Sequence, residues 1–160
     1  MGHNSEFDPS HSFTHTEVEV HFFFFFSAAR NSCPRGWHSL DSRCFLFVSR
    51  PSSWYNAEEH CIILGGRLAS VSSTREYNFL QLITGSQYSH AWLGGFSLQV
   101  GWLWADGEGF YYDNWDSRYS TSAYPSSSYP CMFLQTHYGW GRSTCRSPRP
   151  FICSKSAFSC

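Results

Sequence analysis

The sequence is short of charge. Asp, Glu, Lys and Arg make up 14% of its 160 residues, where an average globular chain has about 25%. One Lys (Lys155) stands beside ten Arg. This composition excludes a coiled coil, which draws heavily on Glu and Lys. A net charge of −1 gives no general attraction to nucleic acid. No run approaches the roughly 18 apolar residues needed to span a bilayer. The chain has no Gly-rich phosphate loop, Gly-x-Ser-x-Gly elbow, HExxH or Cys-x-x-Cys motif, so no familiar catalytic constellation is present and no enzyme is expected. An Asn-x-Ser/Thr sequon is also missing, so N-glycosylation is not expected.

Aromatics fill the gap. Phe, Tyr and Trp reach 19%, with 15 Phe, 9 Tyr and 7 Trp, and this excludes an intrinsically disordered chain, which is poor in them. The length suits about one domain. Seven Cys point to an oxidising compartment and a disulfide framework, hence to a secreted protein.

These residues are unevenly placed. Every Cys and every Trp lies between residues 33 and 160, whereas residues 1–32 are polar and acidic and hold His3, His11, His15 and His21. The chain opens MGHNSEFDPSHSFTHTEVEV, which lacks the basic start and apolar core of a signal peptide. Its one apolar block is Phe22–Phe26, followed by Ser27, Ala28 and Ala29. Two readings of residues 20–29 stand: the remnant of a signal sequence, or part of a disordered tail with a Phe patch. His11 and His15 are four apart, but Pro9, Ser10, Ser12 and Thr14 oppose a helix there, so no metal site is expected.

Local signals in the second segment can be read in order. Residues from Cys33 to Leu40 and from Arg43 to Val48 read as a hairpin with its tip at Asp41-Ser42, across which Cys33 and Cys44 are placed to face each other. Ser52 or Ser53 caps a helix whose apolar face is Trp54, Ala57, Cys61 and Leu64, with Glu58 and Glu59 off it; Gly65-Gly66 ends it. Arg67–Val71 is a short strand. Ser73 and Glu76 form a capping box for a helix to Ile83, with Leu80 and Ile83 inward. His90–Phe96, Trp102–Trp104, Cys131–Leu134 and Phe151–Cys153 are strands, and Asp106-Gly107 is a turn. Residues 116–130 form a long loop with six Ser, three Tyr, two Pro and one Thr.

The ordered set Cys33-Pro-x-Gly-Trp, Cys44, Trp54…Ala57-Glu58…Cys61, Leu68-Ala69-Ser70-Val71, Trp92-Leu93-Gly94-Gly95, Trp102-x-Trp104-x-Asp106-Gly107, Asn114-Trp115, Cys131, Trp140, Cys145 and Phe151-Ile152-Cys153 resembles the C-type lectin-like domain over residues 33–155, in particular single-domain secreted lectins and type II antifreeze proteins. The resemblance implies an α+β fold with two helices, antiparallel sheets and a long loop region. It also implies the disulfides Cys33–Cys44, Cys61–Cys153 and Cys131–Cys145. Residues 1–32 are then a tail, and 156–160 a second one with Cys160 unpaired, a candidate link for a disulfide-bonded dimer.

Sugar-binding members of that family hold a calcium ion through carboxylate and amide oxygens from two segments, and calcium requires such hard oxygen ligands. The resemblance places Trp140-Gly141-Arg142 where Trp-Asn-Asp is expected, and Tyr129 where a Glu is expected two residues before Cys131. Gly141 has no side-chain oxygen, and Arg142 is a permanent cation. No Glu-Pro-Asn or Gln-Pro-Asp lies between Trp115 and Cys131, and Asp116 is the only acid in the loop. No cofactor is expected, and calcium is not expected at this site; the acidic block Asp106, Glu108, Asp113 and Asp116 leaves an accessory ion open.

Tyr and Ser together suit a contact surface, one giving rigid area and the other adaptable hydrogen bonds. The candidate ligand-binding residues are Tyr119, Tyr124, Pro125, Ser126, Tyr129, Trp140 and Arg142. Arg142, Arg146, Arg149 and Lys155 form either a basic patch or separate exposed charges, and Trp92, Trp102, Trp104 and Trp115 are read as core. The expected activity is recognition of a glycan or protein without calcium. The alternatives are binding to ice and service as one subunit of a disulfide-linked dimer.

Overall fold

The computed structural model describes residues 32–85, 90–120 and 122–157, and Cys33 onward forms one compact unit. The Phe22–Phe26 block, His11, His15 and Cys160 lie outside the described residues.

Strands β1 (His38–Leu40) and β2 (Arg43–Ser52) form the expected hairpin. Asp41 at its tip takes φ 54°, a left-handed conformation that Asp tolerates better than most residues. β2 runs past the expected end at Val48, because its register shifts between Val48 and Ser52; Pro51 falls in that irregular stretch, where its missing N–H leaves no ladder bond broken.

Helix α1 (Trp54–Ile63) is capped by Ser53, whose Oγ accepts from the Asn56 N–H. Its buried positions are Trp54, Ala57, Glu58 and Cys61. Glu58 is therefore on the buried face, not off it. Its Oε1 accepts from Arg67 Nε at 3.0 Å and from the Leu68 N–H at 3.2 Å, which offsets the cost of burying a carboxylate. β3 spans only Arg67–Leu68. Helix α2 (Thr74–Ile83) is capped by the Ser73 Oγ, but the reciprocal half of the capping box is displaced: Glu76 Oε1 accepts from the backbone and hydroxyl of Ser72, and Oε2 from Arg43.

β4 (His90–Leu98), β5 (Gly101–Trp104), β6 (Cys131–Gln135), β7 (Gly139–Ser143) and β8 (Arg149–Ser156) complete one eight-stranded sheet ordered β1-β2-β8-β4-β6-β7, with β3 on β8 and β5 on β4. The sheet is mixed, not purely antiparallel, because β4 meets β8 in parallel at Trp92 and Phe151. The two helices and β3 intervene between β2 and β4, so β4 can enter the sheet in the direction of β8.

Side chains alternate across the pleat. Leu93, Met132, Leu134, Trp140 and Ile152 enter one core with Leu80 of α2 and Trp104. Trp92, Phe133, Phe151 and Cys153 enter the other with Trp54, Ala57 and Cys61 of α1. Two buried faces explain why the central strands read as unbroken apolar runs. The disulfides Cys33–Cys44, Cys61–Cys153 and Cys131–Cys145 are present, and the second ties α1 to the sheet centre.

Candidate functional site

The chain between β5 and β6 is the longest irregular stretch of the domain, and Trp140 of β7 organises its first half. Trp140 is fully buried. Rings of Trp104, Phe110, Tyr112 and Trp115 stand edge-on to it at 5.4–5.8 Å. Its backbone N–H donates to Asn114 O at 2.8 Å, and its carbonyl accepts from the Asp116 N–H at 3.0 Å. Trp140 thus anchors the loop and offers no surface to a ligand, which corrects its place among the binding candidates. Gly139 has a positive φ, and a Cβ there would collide with Asn114 O, so this approach of loop to strand requires glycine.

Asp116 begins the second half. Its buried carboxylate accepts from Arg118 Nη2 at 2.6 Å, from the Arg118 N–H at 3.0 Å and from Gln135 Nε2 at 3.0 Å. The hydrogen bond from the Arg118 side chain, opposed by burial and helped by the other donors, holds this carboxyl below its ordinary range. At Glu76 burial pushes the other way, but the Ser72 hydroxyl and the Arg43 charge outweigh it and the value is again lowered. A carboxyl whose folded pKa lies below its unfolded one stabilises the fold above the unfolded value and stops doing so as pH falls through the folded value. The urea midpoint is therefore expected to hold steady down to about pH 5 and to fall below about pH 4, less steeply in Asp116→Asn. An equally steep fall in that variant contradicts the assignment.

Tyr119, Tyr124 and Tyr129 are in ring contact, the first pair tilted and the second edge-on. Tyr119 lies 4.7 Å from Tyr124, Tyr124 lies 5.2 Å from Tyr129, and Tyr119 stands edge-on to Phe133 of β6 at 5.7 Å. All three are half-buried, and Pro125 and Ser126 are exposed at the turn between them. The Pro125 carbonyl accepts from the N–H groups of Ser128 and Tyr129. These ring contacts support the loop, and the Pro125-Ser126 turn is left to solvent.

Arg142 of β7 is half-buried. Its guanidinium lies 4.9 Å from the Trp102 ring centre and 5.9 Å from that of Trp115, and Nε donates to Tyr129 O at 3.1 Å. Nη2 has no partner. Burial lowers the Arg142 pKa, yet an arginine stays charged. Trp102 and Trp115, themselves 4.7 Å apart, are only half-buried. Trp92 and Trp104 are buried in the core as expected, and Trp102 and Trp115 pack against it while also carrying the Arg142 guanidinium. Trp102 and Trp104 share one strand face but differ in exposure, so alternation alone could not tell them apart.

These positions do not suit the family's calcium ion. A Cβ at Gly141 would collide with the ring of Phe133, which packs among His90, Trp92 and Tyr119. An Asn at 141 would displace that ring. Tyr129 supplies a backbone oxygen that Arg142 already engages. The loop acids do not converge either. Asp106 accepts from Ser70 Oγ and the Glu108 N–H, Asp113 accepts from the Trp115 N–H, and Asp116 holds Arg118. Among the described residues, no group of three or more His, Cys, Asp or Glu is arranged to hold a metal.

Of the other basic side chains, Arg149 and Lys155 each have contacts of their own. Arg149 lies 3.9 Å from the Phe133 ring centre and 5.2 Å from that of Trp92. Lys155 donates to Leu64 O and covers Trp37. Arg146 is exposed. Burial, followed by the neighbouring Arg149, lowers the pKa of His90, which stacks on Phe133 at 5.0 Å.

Comparison with known proteins agrees with this architecture. The lectin C-type domain family matches residues 50–155. The chain is 39% identical to ladderlectin of Oncorhynchus mykiss over 128 residues, covering 76% of this chain and 66% of that protein. It is 32% identical to the galactose-specific lectin nattectin of Thalassophryne nattereri over 133 residues, covering 80% and 83%. Among solved structures, a calcium-independent type II antifreeze protein superposes with a TM-score of 0.67 at 29% identity, covering 78% of this chain and 95% of that one.

Proposed function

The chain belongs to the lectin C-type domain family, and on that premise we propose that it is a secreted, non-enzymatic recognition module that binds an acidic glycan without calcium. The observation that carries this reading is the half-buried Arg142 guanidinium, held over Trp102 by its bond to Tyr129 O, where the family's calcium ligand would stand. A fixed guanidinium pairs with a carboxylate or sulfate through charge-assisted hydrogen bonds. Trp102 and Trp115, both half-buried, offer an apolar surface to a sugar ring, and the exposed Pro125-Ser126 turn follows Trp115 on the chain between β5 and β6. Relatives that are lectins, one of them named for galactose, support a glycan as ligand. Three disulfides support an oxidising, extracellular setting.

A glycan array read with calcium and with chelator tests this. Sialylated or sulfated glycans are expected to bind equally in both. Arg142→Ala is expected to weaken binding by on the order of tenfold or more, the loss of a charge-assisted bond. Binding only to neutral sugars, or binding that chelator abolishes, contradicts the reading.

A second reading, ice binding, is favoured by one observation: Ser117, Ser120, Ser122, Ser126, Ser127 and Ser128 are all exposed on a loop almost free of acids, in a fold shared with a calcium-independent antifreeze protein. Thermal hysteresis of the purified protein separates the two. We further propose Cys160 as the link of a disulfide-bonded dimer, which a non-reducing gel reports directly.

A further inference from the structure

A cavity lies between α1 and the β4–β5 hairpin. Its volume is about 430 Å³, within the usual size range of small-ligand sites. Most of its wall is apolar: Trp54, Phe96, Leu98, Pro130 and the Cys131–Cys145 disulfide. The opening carries exposed apolar side chains, with Tyr55 62% and Leu98 54% accessible. Polar groups are concentrated in Glu58 and Arg67.

That pair is incompletely used. Glu58 is only 8% exposed, and its Oε1 serves Arg67 and Leu68, but Oε2 is buried with no partner. A carboxylate oxygen left in this state costs free energy that a donor would recover. The Arg67 side chain is 47% exposed and uses only Nε in its bond to Glu58, so its terminal nitrogens remain donors to an incoming group. Because Oε2 is buried, its use by a ligand requires a side-chain movement at the mouth, for which the exposed Arg67 is placed.

We propose that this cavity binds a peptide segment, taking one large apolar side chain against Trp54, Phe96 and Leu98 and the adjoining amide on Glu58 and Arg67. An amide matches the pair because it carries one donor, for Glu58 Oε2, and one acceptor, for Arg67. A pyranose fits less well. Its ring of hydroxyls would face a mostly apolar wall and lose hydrogen bonds to water that the cavity does not replace. This site is independent of the glycan reading and stands or falls separately from it.

The test is NMR titration of the full chain with N-acetyl-L-tryptophanamide. Shifts are expected at the Trp54 indole N–H and the Leu98 methyls, saturating in the millimolar range that suits so small a fragment. Leu98→Asp, at an exposed position, is expected to abolish them without unfolding the domain. Glu58→Gln keeps an acceptor for the Leu68 N–H but removes the free carboxylate oxygen, and is expected to weaken binding by on the order of tenfold. 3-Methylindole, which lacks the amide, is expected to bind correspondingly less well. Any of four results overturns the proposal: no saturable shifts at the cavity, shifts confined to the Arg142 face, equal binding of 3-methylindole, or N-acetylglucosamine binding here more tightly than the tryptophan amide.

Discussion

Trp140→Ala is expected to cost about 3–5 kcal/mol, the range for truncating a large buried aromatic. A domain stability of roughly 5–15 kcal/mol would leave such a variant marginal. The physical reason is that four rings stand against this one, and the cavity left behind cannot close while Asn114 and Asp116 remain pinned to β7. Glycan binding should fall with stability even though Trp140 touches no ligand, because Trp115 loses its support. Trp140→Phe should cost much less. The indole N–H is buried without a partner, so replacing the indole removes an unsatisfied donor as well as some ring contact. Urea unfolding of both variants provides the check. A loss below about 1 kcal/mol for the alanine variant, smaller than most core truncations, would show that Trp140 does not organise the loop.

The second large effect lies at the Cys61–Cys153 disulfide. Removing it by replacing both residues with Ala should cost about 4–5 kcal/mol by loop entropy, since the bond spans 92 residues. The same change at Cys33–Cys44 or Cys131–Cys145, which span 11 and 14 residues, should cost about 3 kcal/mol each. Packing reinforces the order. Cys61 and Cys153 are fully buried, and Cys153 pairs with both Leu46 and Leu68 across the sheet centre. Calorimetric melting of the three double variants gives the ranking. A greater loss at Cys33–Cys44 would contradict it.

The disulfide pairing was legible only through the resemblance to the C-type lectin-like domain, carried by the ordered Cys, Trp and Gly motifs, since six cysteines allow fifteen pairings. The helix caps were legible directly: Ser53 and Ser73 do what a serine before an apolar run does. Glu58 shows where such reading stops. It lies four residues after Trp54, on the face that helical periodicity buries, and its charge argued it outward; only the fold reveals that Arg67 and the Leu68 N–H receive it. β7 escaped notice because Gly139-Trp140-Gly141-Arg142 has none of the β-branched residues that mark strands. It pairs with β6 because its glycines admit the Asn114 backbone and the Phe133 ring. The tyrosine cluster and the lie of Arg142 over Trp102 are contacts between residues that spacing cannot bring together.

The central proposal is that Arg142, with Tyr129 and Gly141 beside it, stands in place of the family's calcium site. Isothermal titration of the purified protein with calcium tests it most directly. The account predicts no saturable isotherm arising from the 116–130 loop and β7. A micromolar calcium site that disappears when this loop is mutated would contradict it.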